Sequence, residues 1–85
     1  MKEFSYTITD TAGIHARPAG MFVKLIQAFE SEVTFTCRQK TVSGKKLFAI
    51  MGLGVKCGET ITITATGADE DAAIEAAAEF LKSNL

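Results

Sequence analysis

Tryptophan is absent from the 85 residues, proline and histidine occur once each, and cysteine occurs twice. Two cysteines cannot build the disulfide framework of a small secreted domain, so the chain reads as a product of a reducing compartment. One histidine leaves no room for a histidine-rich metal site, and any imidazole chemistry falls to His15. Charge of one sign is lacking too. Nine basic side chains stand against ten acidic ones, for a net charge of −1. That excludes a polyanion-coating protein, and with it a nucleic-acid partner, as well as an acidic disordered tail. No apolar run nears the roughly 18 residues of a membrane span, and no secretory signal opens the chain. The expectation is one compact cytoplasmic domain over residues 1–85, with no direct membrane insertion.

What is present has clear periods. Phe4, Tyr6 and Ile8 alternate with Ser5 and Thr7, which predicts a strand over Glu3–Thr9. Asp10 to Gly13 breaks it. Ala19, Phe22, Val23 and Ile26 recur at i, i+3, i+4 and i+7, a helix running to about Phe29. Pro18 fits a helix start, where the first N–H groups have no intrahelical acceptor to lose. Val33, Phe35 and Cys37 share one face of a second strand, Glu32–Cys37. Arg38-Gln39 would turn it into Lys40–Ser43, although neither residue favours a positive φ as Asn-Gly does. Leu47–Met51 reads as a short helix, and Gly52, Gly54 and Gly58 punctuate the connection after it. Ile61, Ile63 and Ala65 alternate with threonines over Thr60–Thr66. Asp69, Glu70 and Asp71 open a last helix, with Ile74, Ala77, Ala78 and Leu81 as its core stripe. The order βαββαβα indicates an α+β fold: an antiparallel four-stranded sheet with three helices on one face.

Charge is unevenly placed. Arg38, Lys40, Lys45, Lys46 and Lys56 fall in a stretch without acids, whereas the last third is acidic. If that stretch folds near Arg17 and Lys24, one side suits an acidic partner; an ordinary mixed surface is the alternative. Gly52-Leu53-Gly54-Val55-Lys56-Cys57-Gly58 misses the dinucleotide-loop spacing by one residue and reads as a turn. Cys37 belongs to the core and Cys57 to an exposed loop, so a disulfide between them is not expected.

His15 stands just before the first helix, facing unpaired backbone N–H groups and the positive end of the dipole. Arg17 adds a fixed positive charge. Both favour the neutral ring, with one nitrogen free to attack. The same donors can hold the oxygens of a phosphoryl group. A phosphate-accepting nucleophile and a capping or packing histidine are both compatible with this placement.

The stretch Gly13-Ile14-His15-Ala16-Arg17-Pro18-Ala19 closely resembles the active-site signature of the HPr family, the histidine-containing phosphocarriers of the bacterial phosphoenolpyruvate:sugar phosphotransferase system. The resemblance spans the chain: its length and element order, Lys40-Thr41-Val42, Leu53-Gly54-Val55, and Gly67-Ala68-Asp69-Glu70. It implies an open-faced β-sandwich. It implies that His15 takes a phosphoryl group on Nδ1 from enzyme I and gives it to IIA domains of sugar permeases. Arg17 would then neutralise phosphoryl charge, Pro18 would shape the helix start, and the Ala16 and Arg17 N–H groups would complete the cradle. No metal or organic cofactor is implied, and the family habit is monomeric.

The resemblance also implies an apolar docking patch at Ala16, Gly20, Leu47, Phe48 and Met51, rimmed by Lys24, Lys45 and Lys46. The short helix has more apolar side chains than it can bury, which independently predicts exposure of Phe48. One position departs from the family. Many Gram-positive members carry a kinase-regulated serine where this chain has Lys46, which has no hydroxyl to modify. The resulting expectation is a carrier that is itself a substrate of enzyme I, not a free-standing catalyst. The alternatives are a regulatory paralogue, serving a nitrogen-related relay or binding a transcription factor, and a non-covalent anion- or protein-binding module.

Overall fold

The computed structural model describes residues 1–85. The elements are β1 (Lys2–Thr7), α1 (Ala16–Gln27), β2 (Glu32–Cys37), β3 (Lys40–Ser43), α2 (Leu47–Gly52), β4 (Thr60–Thr66) and α3 (Glu70–Asn84). The strands form one antiparallel sheet in the order β1-β4-β2-β3, so β1 and β3 are the edges. This is the open-faced α+β arrangement that the element order implies. β1 starts one residue and ends two residues earlier than its alternation suggests, because Lys2 pairs with Ala65 at one end and Thr7 with Thr60 at the other. α1 stops at Gln27, with Ala28 as its cap, short of Phe29.

The two sheet faces are chemically opposite, as period-2 alternation requires. On the inner face the register aligns Phe4, Ile63, Phe35 and Val42 in one row, and Val33 and Ala65 in the next. The helices cover this face. Ala19, Phe22, Val23 and Ile26 of α1 are buried, as the helical period predicts. On α3 the stripe shifts slightly: Ala73, Ala77 and Leu81 are buried, while Ile74 and Ala78 are half-buried. Phe22 ties three elements together. Its ring meets Phe35 of the sheet edge-on at 5.8 Å and Phe80 of α3 at 5.8 Å. Truncating such a ring to alanine costs about 3–5 kcal/mol. The outer face carries hydroxyls instead. Ser5 bonds Thr62 at 3.0 Å, Thr7 bonds Thr60 at 2.9 Å, and Thr36 bonds Thr41 at 2.9 Å.

The β2–β3 turn falls at Arg38-Gln39, where the sequence places it, although neither residue favours the geometry it adopts. Cys37 pairs with Lys40, leaving only Arg38 and Gln39 between strands, and both take positive φ, at 50° and 69°. A two-residue hairpin with native twist needs that geometry. Long-range bonds hold Arg38 there: its guanidinium donates to the Glu59 carboxylate and to the Leu53 carbonyl. Cys37 is buried, Cys57 is exposed, and both are free thiols. Burial pushes the Cys37 thiol up.

Candidate functional site

The loop between β1 and α1 delivers His15, and it is pinned at both ends. The backbone N–H groups of Thr9 and Asp10 donate to the Leu85 oxygen at 2.6 and 2.8 Å, and the Thr9 hydroxyl joins them at 2.9 Å. The Asp10 side chain then accepts the Ala12 N–H at 2.8 Å, closing an Asx turn. Gly13 has φ +69°, and a Cβ there would collide with the Val55 carbonyl oxygen. Only glycine fits that crossing. The Ile14 N–H donates to the same Val55 carbonyl at 3.0 Å, and the Ile14 side chain is buried. The residues ahead of His15 are therefore fixed by backbone bonds and by one buried anchor.

His15 is the N-cap of α1, with an extended backbone (φ −108°, ψ 174°). Its carbonyl accepts the Ala19 N–H at 3.0 Å. Its side chain makes no capping bond and is 46% exposed, so the capping alternative does not describe it. Ala16 and Arg17 are the first two helical residues, and their N–H groups have no intrahelical acceptor. Pro18, third, has no N–H at all, so the helix end presents two backbone donors. No acidic residue occupies this first turn. Arg17 is exposed and makes no ion pair and no side-chain hydrogen bond. The helix's own first turn is positive and carries no neutralising acid, which suits an anion.

A shallow cavity of about 270 Å³ adjoins the ring, lined by Asp10, His15, Arg17, Pro18, Met21 and Asn84. Asp10, Met21 and Asn84 were not anticipated. Asp10 reads in the sequence as a strand breaker, yet one of its carboxylate oxygens lies 3.7 Å from His15 Nε2. This negative charge pulls against Arg17 and the helix terminus, so the positive field considered from sequence is only part of the balance. The Asp-x-Ala-Gly turn pattern was the available signal for Asp10. Asn84 arrives from the far end of the chain, with no local signal. No cluster of three or more histidine, cysteine or acidic side chains forms a metal-binding group.

α2 divides its apolar residues between two sides. Ile50 is buried and Leu47 half-buried, while Phe48 is 85% exposed and Met51 38%. Ala16 and Lys24 are exposed on α1 and Gly20 is half-buried. α2 packs against α1, and the segment leaving it carries Val55 to the histidine loop. Lys46 is the exposed N-cap of α2. Lys45 is more constrained: its ammonium donates to the Phe29 carbonyl at 2.6 Å, and its own carbonyl accepts Gln27 Nε2 at 3.1 Å. Arg38, pairing with Glu59, is drawn out of the free basic stretch. That ion pair and the Lys56 N–H hold the Glu59 carboxyl below the usual carboxylate range. No helix is long and apolar enough to cross a membrane.

Residues 2–83 match a family model described as the PTS HPr component phosphorylation site. The chain belongs to the HPr family. The fold agrees with solved HPr structures. The histidine-containing phosphocarrier protein of Mycoplasma is 36% identical with a TM-score of 0.94, the match covering 96% of this chain and 93% of that one. An HPr from Thermoanaerobacter tengcongensis is 37% identical with a TM-score of 0.93, covering 98% and 93%. The chain is also similar to Crh, the catabolite repression HPr of Bacillus subtilis, a domain-swapped dimer in its crystal structure, at 31% identity and a TM-score of 0.78, covering 94% and 92%. As an HPr-family protein, the chain is a phosphocarrier of the phosphotransferase system.

Proposed function

We propose that His15 accepts a phosphoryl group from phosphorylated enzyme I and passes it to IIA domains of sugar permeases, in the cytoplasm and as a monomer. The supporting observation is the uncapped N-terminus of α1: two free N–H donors, an unpaired Arg17 and no acid in the first helical turn, next to an exposed imidazole. The Nδ1 lone pair attacks phosphorus in line, and the bond from phosphorus to the donor histidine breaks with its electron pair. The Ala16 and Arg17 N–H groups and the Arg17 guanidinium meet the phosphoryl oxygens, while Pro18 sets the helix start. Positioning and charge neutralisation are the carrier's share of this step. Partners dock on Ala16, Gly20, Leu47, Phe48 and Met51, with Lys24, Lys45 and Lys46 on the rim. Lys46 leaves no hydroxyl for serine-type regulation at that position.

The test is intact mass and phosphorus NMR after incubation with phosphoenolpyruvate, magnesium and enzyme I, beside a His15→Ala control. One acid-labile phosphoryl group, absent from the control, is the expected result. No transfer to folded protein from an enzyme I of the same source overturns the sugar-pathway assignment. Similarity to a catabolite repression protein supports a second reading, a regulatory paralogue. Preference for a nitrogen-pathway enzyme I over the sugar-pathway enzyme would favour it.

A further inference from the structure

Asp10 is the only anionic side chain lining the His15 cavity, and the transfer described above makes no use of it. Its place is fixed from several directions. Its N–H is bound to the Leu85 oxygen, one carboxylate oxygen is bound to the Ala12 N–H, and the other lies 3.7 Å from His15 Nε2. The remaining charged group of the cavity is Arg17; Pro18, Met21 and Asn84 are neutral.

We propose that Asp10 is a positioning residue for phosphoryl transfer at His15. A carboxylate beside Nε2 favours the tautomer with the proton on that nitrogen, which leaves the lone pair on Nδ1. When Nδ1 bonds to phosphorus, Nε2 keeps its proton and the ring becomes cationic. Asp10 remains ionised and faces that charge. On onward transfer the N–P bond breaks, the electron pair returns to Nδ1 and the phosphoryl group joins the acceptor's nucleophile. The ring is neutral again, with its proton still on Nε2. Asp10 thus directs which nitrogen reacts and steadies the charged form. Its role in transfer rests on the proposed function, whereas its control of the tautomer does not.

The experiment compares wild type, Asp10→Asn and Asp10→Ala by nitrogen NMR of labelled, unphosphorylated His15 at a pH where the ring is neutral. Asparagine keeps an oxygen for the Ala12 N–H but removes the charge. Both variants are expected to lower the ratio of Nε2–H to Nδ1–H tautomer about 2- to 5-fold, the range of a partly exposed charge contact. Acceptance of the phosphoryl group from phosphorylated enzyme I, the step in which the ring gains its charge, should slow by a similar factor. An unchanged ratio in Asp10→Asn overturns the proposal. A change confined to Asp10→Ala also overturns it, since that result assigns Asp10 to the turn alone. Failure of enzyme I to phosphorylate the wild type would remove the proposed function, while the tautomer ratio would still decide the role of Asp10.

Discussion

α1 and α3 each begin with a turn of backbone N–H groups that have no acceptor within the helix, and the chain treats the two ends in opposite ways. At α3, Glu70 and Asp71 sit in the first turn, and Glu70 accepts the Gly67 N–H at 3.1 Å. Asp69, at the cap position, turns its carboxylate away to the N–H groups of Glu30 and Ser31, at 2.9 and 2.8 Å, and to the Ser31 hydroxyl. At α1 the corresponding turn holds no acid, and the capping side chain makes no bond. The same dipole is neutralised by the protein at one end and left for something else at the other. An end left bare sacrifices roughly 0.3–1 kcal/mol of helix stabilisation per missing favourable charge. That concession makes sense where a ligand brings the charge.

The contrast can be broken by substitution, beginning where the effect is greatest. Gly13→Ala strikes the crossing that delivers the bare end, since it forces a Cβ against the Val55 carbonyl at positive φ. Stability is expected to fall by about 2–4 kcal/mol in denaturant titrations. Arg17→Ala leaves the end bare but less positive. Phosphoryl acceptance from enzyme I should slow about 100-fold, the lower end of the range seen when a charge-stabilising donor is lost, with urea midpoints nearly unchanged. Ala16→Glu makes α1 resemble α3. Thermal stability should rise slightly, by up to about 1 kcal/mol, while phosphoryl acceptance drops about 10-fold as two negative groups compete for one site. Both results together would sharpen the comparison; a gain in stability without loss of transfer would dissolve it.

The smallest effect concerns α3. Asp69 is held below the usual carboxylate range by the Ser31 hydroxyl first and by backbone N–H groups next. A carboxyl with a lowered folded-state value stabilises the fold above its unfolded value and loses that contribution as pH falls through the folded value. Melting temperature should therefore decline as pH drops below about 4. Asp69→Asn should flatten that decline and lower the melting temperature modestly at neutral pH.

Local periods carried the elements because each period reports which side faces the core. Val33, Phe35 and Cys37 could alternate only if one face of β2 were buried, and Ala19 to Ile26 fitted one side of one helix. Gly13 to Ala19 carried the site because the loop, the cap and the helix start are contiguous in the chain. The unread features depend on residues far apart in sequence. Arg38 and Gln39 adopt positive φ because Glu59 and Leu53 hold the turn, which no property of the pair announces. Asp10 approaches His15 because Leu85 grips the loop, and Asn84 reaches the cavity only once α3 has crossed the sheet. Lys45 looked free in a basic stretch, yet the carbonyl that claims its ammonium belongs to the end of α1.

The outer face of the sheet carries one more consequence. Its side chains, Ser5, Thr62, Thr36 and Thr41 across a single row, are mostly threonines. A threonine offers the backbone a branched outline like that of valine, so strand geometry is favoured, but it shows water an alcohol. A half-covered sheet with a greasy exterior would cling to its own kind as protein concentration rose. Clothed in hydroxyls that bond to one another, this face can stay bare in a crowded solution, and the large apolar side chains that remain on offer lie off it, at Phe48 and Met51 of α2, Met21 of α1 and Met1.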